Sequence, residues 1–131
     1  FGVKGATDVT GFALLGHAWE MARASNMTIE MDSAAVPVLE GALELAAAGM
    51  ITSGDKTNRE YVGEDIEIEE SVDKDLVKLL FDPQTAGGML ISVAADRADA
   101  LWARVRENYP RAQIIGHVLE RRSHSIVVTA G

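Results

Sequence analysis

The chain has 131 residues, the size of one ordinary domain, and its 47% hydrophobic content can build a core, which excludes disorder as the main state. It has no cysteine, which excludes disulfides, thiolate metal ligands and a cysteine nucleophile. Twelve Lys and Arg against twenty Asp and Glu give a net charge of −8, so we expect no nucleic-acid and no membrane partner.

The first elements follow from periodicity. Apolar residues at helical spacing predict an amphipathic helix over residues 10–24, and polar and apolar residues then alternate in a predicted strand over residues 28–32. Pro37 suits the first position of a helix and Gly49 a C-terminal cap, so a second helix is predicted over residues 38–48.

The middle of the chain is more polar. Residues 52–63 predict a polar loop, and the acidic residues 64–70 predict a short edge strand whose charges discourage pairing with other chains. Residues 72–81 predict a third helix that Pro83 ends, and the apolar residues 89–94 predict a central strand.

The end of the chain predicts a helix followed by a β-hairpin. Residues 96–108 carry apolar side chains at i, i+3, i+4 and i+7, and residues 112–119 and 125–129 are β-rich runs joined by a polar turn. The whole chain, residues 1–131, is therefore predicted to form a single α+β domain. In it a mixed four- to five-stranded sheet is covered by helices.

The first segment that could carry chemistry is residues 7–17, with the sequence TDVTGFALLGH. A carboxylate, Asp8, comes just before a helix start that contains a glycine. The N–H groups of such an end attract anions, and Asp8 could hold Mg²⁺ there. The alternative is simple capping, in which Thr10 or Asp8 accepts hydrogen bonds from the first turn.

A second and a third segment are also candidates. Residues 81–88 run from a helix stop into a strand, and paired glycines there allow backbone N–H groups to approach a ligand, although a plain tight turn explains the same residues. In residues 53–61, Lys56 and Arg59 stand out in an acidic protein, as part of a functional loop or a solvated one. His17 could be a base or a ligand, but a single histidine on a helix is more often a packing or surface residue, and it is interpreted so here.

These strings resemble the C-terminal domain of selenophosphate synthetase, also called selenide, water dikinase. The family's motifs are matched, in order, by TDVTGF with LLGH at residues 7–17, by Asn58 with YV at residues 61–62, and by FDPQT with Gly87 and Gly88 at residues 81–88. The resemblance covers essentially the whole chain. It implies a layered αβ domain that closes over ATP held mainly by an N-terminal domain absent from this sequence.

The resemblance also implies a function. The family makes selenophosphate from selenide, ATP and water, releases AMP and phosphate, and uses Mg²⁺. Asp8 corresponds to a metal ligand, and no catalytic residue is expected here, because the family's nucleophile and lysine belong to the N-terminal domain. The complete protein is expected to be a cytoplasmic homodimer, and this piece alone to be inactive. The implied pocket residues are Thr7, Thr10, Gly11, Asn58, Thr85, Gly87 and Gly88.

Two positions depart from the family pattern. Ala13 replaces the usual glycine, and Ala86 replaces the usual serine, which removes a hydroxyl that could contact phosphate. Two other interpretations stay open. One is another enzyme of the same superfamily, of the aminoimidazole ribonucleotide synthetase, thiamine monophosphate kinase or hydrogenase maturation type. The other is a free-standing, non-enzymatic binding module.

Overall fold

A computed structural model describes residues 1–85 and 87–131, and within them the chain forms five α-helices and six strands. The strands are Gly5–Asp8 (β1), Met27–Asp32 (β2), Ile66–Ile68 (β3), Met89–Ser92 (β4), Gly116–Glu120 (β5) and Ile126–Thr129 (β6). The helices are Ala13–Ser25 (α1), Ala42–Ala47 (α2), Ser53–Val62 (α3), Lys74–Leu80 (α4) and Ala95–Arg106 (α5). No helix in the described part of the chain is long and apolar enough to cross a membrane.

The strands form two sheets. Four strands make a mixed sheet in the order β3-β6-β2-β5, in which β2 runs parallel to β6 and antiparallel to β5. The predicted α+β class with a mixed sheet is confirmed, as is the edge position of β3. β1 and β4 form a separate antiparallel pair.

The core lies between α1 and the mixed sheet. Leu15 and Ala18 of α1 belong to the same buried cluster as Met31 of β2 and Val128 of β6. The helix ends as predicted, because Asn26 adopts the left-handed conformation at its C-terminus, with φ 55°.

The predicted C-terminal hairpin is wrong. The runs at residues 112–119 and 125–129 do form β5 and β6, but β2 lies between them in the sheet. The connection instead passes over the end of β2, where the Thr28 hydroxyl accepts a hydrogen bond from the Arg122 N–H and donates one to the His124 carbonyl. Pairing with a strand almost a hundred residues away leaves no local pattern in the sequence.

The predicted loop over residues 52–63 is also wrong, since it forms α3. Three residues at helical spacing, Asp55, Asn58 and Val62, are buried on one face of this helix. Two of the three are polar, so the usual apolar stripe is missing from the sequence. The polar side chains are buried because they find hydrogen-bond partners there.

Two more predictions need correction in part. The helix expected over residues 38–48 begins only at Ala42, after Gly41 in a left-handed conformation with φ 83°. The predicted cap at Gly49 fits its left-handed φ of 86°. β4 is not a central strand, because its described neighbour is β1 alone and Met89 and Ile91 are exposed.

Asp65 connects α1 to the mixed sheet just before β3. Its carboxylate accepts hydrogen bonds from the Trp19 indole N–H at 2.8 Å and from the Ser125 N–H at 2.9 Å, and it pairs with Arg121 at 3.2 Å. Burial by itself would raise the pKa of this carboxyl. The hydrogen bonds from Ser125 and Trp19 and the Arg121 charge outweigh that effect and lower the pKa to about 2. Asp65 is therefore a structural anion.

Candidate functional site

The first and second sequence motifs lie side by side. Beyond the β1–β4 pair the ladder continues through two backbone bonds, from Val9 N–H to Gly88 O at 2.9 Å and from Gly87 N–H to Val9 O at 3.1 Å. A Cβ atom on Gly87 would lie 2.3 Å from the Val9 carbonyl oxygen. Glycine is thus required here by the close approach of two backbones.

The third motif joins the other two through Asn58. Its side-chain amide donates hydrogen bonds of 3.0 Å to the Gly11 carbonyl and of 3.0 Å to the Phe81 carbonyl. Gly54 of the same helix lies so close to Pro83 that an added Cβ would be 2.3 Å from its Cγ. α3 therefore holds the two motifs together. Asn58 is buried at 3% exposure, and its amide protons are engaged by the backbone.

Most of the predicted site residues lie at the surface around this junction. Asp8 is exposed at the end of β1, and Thr7 beside it is half-buried, with its hydroxyl donating to the Asp8 carbonyl at 3.3 Å. The other exposed members of the predicted set are Gly11, Thr85, Gly87 and Gly88.

The capping interpretation of this segment is wrong. The N-cap residue of α1 is Phe12, and within the described residues the helix start has no side-chain cap. The Thr10 hydroxyl instead bonds to the His17 ring. Asp8 is thus not explained by a capping role.

Ala13 departs from the family glycine and also from ordinary backbone geometry. It is the first residue of α1, fully buried, and has φ 67°. An L-residue in this region is strained by on the order of 1 kcal/mol, whereas glycine is not. The second departure, Ala86, lies outside the described residues.

His17 is oriented by two partners, which sequence reasoning missed. Its Nε2 lies 2.9 Å from the Thr10 hydroxyl, and its Nδ1 lies 3.1 Å from a Glu20 carboxylate oxygen. The other Glu20 oxygen accepts a hydrogen bond of 3.0 Å from the Tyr61 hydroxyl. The i, i+3 spacing of His17 and Glu20 on one helix face was a signal that could have shown this.

An acidic pair also lies at the junction. Burial raises the pKa of Asp82, and the nearby charge of Asp55 raises it further. Asp55 itself pairs with Arg59 at 2.7 Å, and the Arg59 guanidinium lies 4.7 Å from the centre of the Phe81 ring. Arg59, which the sequence placed in a functional or a solvated loop, is therefore engaged within the fold.

Comparison with known proteins identifies the family. Residues 1–129 match the family described as AIR synthase related protein, C-terminal domain. The chain belongs to this family. It is 44% identical over 128 residues to a selenide, water dikinase of Caldanaerobacter subterraneus and 43% identical over 129 residues to one of Clostridioides difficile. These alignments cover 97% and 98% of this chain but only 37% of each relative, so the chain spans little more than a third of their length.

The residues of this AIR synthase related domain fit one part of a metal site. Mg²⁺ in phosphate-binding sites commonly takes one or two carboxylates together with phosphate oxygens and water. Asp8 is an exposed carboxylate of that kind. Among the described residues, no group of three or more His, Asp or Glu side chains could hold a metal. Within the described residues, the chemistry of Asp8 therefore fits one ligand of such a site, and no complete set of ligands is present.

Two clefts of the described residues have none of the predicted site residues in their lining. One of about 450 Å³ is lined by Val36, Pro37 and Arg111, and another of about 250 Å³ is lined by Glu30 and His117 among others. Most of the predicted site residues are exposed instead, beside the end of β1.

Proposed function

We propose that the complete protein containing this domain is a selenide, water dikinase, which makes selenophosphate from selenide, ATP and water and releases AMP and phosphate. The observation that carries the proposal is the similarity to curated relatives of that name at 44% and 43% identity along almost the whole chain. The motif around Asp8 supports the same assignment, because it departs from the family pattern at few positions.

Asp8 is proposed as one Mg²⁺ ligand, with the remaining ligands coming from the rest of the protein. A bound Mg²⁺ would neutralise negative charge on the phosphates during phosphoryl transfer. Asp8 suits this role because its carboxylate is exposed and helix capping does not explain it. Thr7, Thr10 and Gly11 would shape its surroundings.

The same proposal assigns other residues to the pocket. Thr85, Gly87 and Gly88 would form part of its wall, since they are exposed beside the end of β1. Asn58 is proposed to act by holding the junction in place, because both protons of its amide are bound to backbone carbonyls.

We further propose that an N-terminal domain covers this surface, binds most of the ATP and supplies the reactive residues. The β1–β4 pair supports this, because one of its faces carries exposed Ala6, Asp8, Met89 and Ile91. Met89 is 61% exposed, a large apolar side chain that a covering domain would bury. The complete enzyme is proposed to act as a cytoplasmic homodimer.

The test is an assay of the complete protein with ATP and Mg²⁺, in which AMP release is measured with and without selenide. We expect selenide-dependent AMP release, and a decrease of at least about 100-fold in kcat for Asp8→Asn. Asp99→Asn is the matched control, since Asp99 is an exposed carboxylate on α5. ATP turnover that ignores selenide would contradict the proposal and favour another enzyme of the superfamily.

A further inference from the structure

We propose that Glu20 and His17 are positioning residues that fix the direction of the Thr10 hydroxyl in the phosphoryl-transfer site. These three residues form the Thr10 triplet. The inference rests on the proposed function, because Thr10 lies two residues after the proposed metal ligand Asp8. It assigns a role to His17, which the sequence alone suggested to be a packing or surface residue.

The geometry of the Thr10 triplet is that of an oriented base. The two ring nitrogens of His17 lie 2.9 Å from Thr10 Oγ1 and 3.1 Å from Glu20 Oε1, both within hydrogen-bonding distance. The His17 side chain is only 12% exposed, so water competes little for these bonds. In many sites a carboxylate bonds to one ring nitrogen of a histidine and a hydroxyl bonds to the other. The carboxylate then holds the ring in one tautomer.

The hydrogen-bonding chemistry of Glu20 and Thr10 determines which ring nitrogen of His17 carries the proton. An ionised carboxylate can only accept hydrogen bonds, so Glu20 requires the proton of neutral His17 to be on Nδ1. Nε2 is then an acceptor, and the Thr10 hydroxyl must donate to it. With its proton committed to His17, the Thr10 oxygen can offer only lone pairs to a ligand beside Asp8.

The triplet is held in a rigid frame. The Thr10 carbonyl accepts hydrogen bonds from the Ala13 N–H at 2.9 Å and from the Gln84 N–H at 3.0 Å, which fixes the backbone that carries the hydroxyl. The Phe12 ring packs edge-on against His17 at 5.7 Å and stacks on Tyr61 at 4.6 Å. The backbone and the imidazole are thus fixed, and the hydroxyl proton is the part that the histidine directs.

The first test measures the tautomer of His17 in the complete protein by nitrogen-15 NMR of labelled histidines. We expect His17 to carry its proton on Nδ1, and Glu20→Ala to abolish this preference. A His17 ring protonated on Nε2 would overturn the inference, whatever the activity of the enzyme.

The second test is a double-mutant cycle on selenide-dependent AMP release. His17→Ala and Thr10→Val should each lower kcat by about 10- to 100-fold with little change in KM for ATP. The double variant should lose no more kcat than the single variant with the larger loss. Thr10→Ser, which keeps the hydroxyl, should retain most of the activity. Additive losses, or full activity of His17→Ala, would contradict a role through Thr10.

The controls separate this inference from the proposed function. His117→Ala removes an exposed histidine of β5 and should leave kcat unchanged. If the unmodified enzyme releases no AMP with selenide, the proposed function fails and with it the catalytic role of the triplet. If that enzyme is active and His17→Ala is equally active, only the inference about the triplet fails.

Discussion

The Asn58 side-chain amide lies 3.0 Å from the Gly11 carbonyl oxygen and fixes the glycine loop that leads into α1. The same amide reaches the Phe81 carbonyl, so one buried side chain satisfies two backbone acceptors from different motifs. Removing it leaves the Phe81 carbonyl unpaired inside the protein and takes this donor away from the carbonyl of the exposed Gly11. The three motifs would then lose their common contact.

Asn58→Ala is therefore expected to lower the free energy of unfolding by about 1–3 kcal/mol, the cost of leaving a buried acceptor without its partner. Denaturant unfolding of the two proteins measures this. Asn108→Ala is the matched control, because Asn108 is exposed after α5, and it should change stability by less than about 0.5 kcal/mol. Equal stability of Asn58→Ala and the parent chain would show that this contact is dispensable.

Ala13→Gly should be neutral or stabilising, although glycine normally weakens a helix. The left-handed φ of 67° strains alanine but not glycine, and this relief offsets the loss of a buried methyl group. Ala18→Gly is the control, since Ala18 is equally buried in the middle of α1. We expect Ala18→Gly to be less stable than Ala13→Gly by about 1–2 kcal/mol in thermal or denaturant unfolding. Equal losses would argue against backbone strain at Ala13.

Asp65 predicts how stability changes in acid. Its pKa is about 2 in the folded protein and close to 3.8 without its partners, so the folded state favours the ionised form. The stabilisation is complete above about pH 4 and is lost as the pH falls towards 2. By linkage it amounts to about 2 kcal/mol.

Asp65→Asn should therefore be less stable than the parent at pH 7, and its stability should fall less steeply between pH 4 and 2. Unfolding measured across this range makes the comparison. Glu64→Gln, which changes the exposed neighbouring carboxylate, should keep the parent's pH profile. If the stability of the parent and that of Asp65→Asn changed in parallel with pH, the role of Asp65 as a structural anion would be refuted.

Much of the fold could be predicted from local pattern. α1, β2, α4 and α5 follow periodicity and stop signals, and β3 follows its acidic edge composition. The places where prediction failed are those where the partner is distant or polar. β2 enters between β5 and β6 from far along the chain, and α3 buries an aspartate and an asparagine instead of an apolar stripe.

The candidate site shows the same division. Its three motifs could be named from the sequence, and the structure brings them to one junction through Asn58, Gln84 and Gly87. The Glu20 partner of His17 does not follow from a single histidine on a helix, because it depends on the residue one turn away. A role that depends on side-chain geometry is not visible until the helix face is considered as a whole.

The chain by itself is expected to bind Mg²⁺ and ATP only weakly and to be inactive. One carboxylate cannot replace enough of the water that Mg²⁺ holds, and most of the predicted site residues are exposed. Titration calorimetry of the 131-residue chain with Mg²⁺ and ATP measures this. Sub-micromolar binding would show that the domain contains a complete site.

The central claim is that the Asp8 carboxylate reaches the phosphates of ATP through a shared Mg²⁺. A crystal structure of the complete protein with Mg²⁺ and a non-hydrolysable ATP analogue tests it most directly. The account predicts an Asp8 oxygen at about 2.0–2.1 Å from the ion, the usual Mg²⁺ ligand distance. An Asp8 carboxylate turned away from the ion and bonded to the amides of α1 would contradict the account.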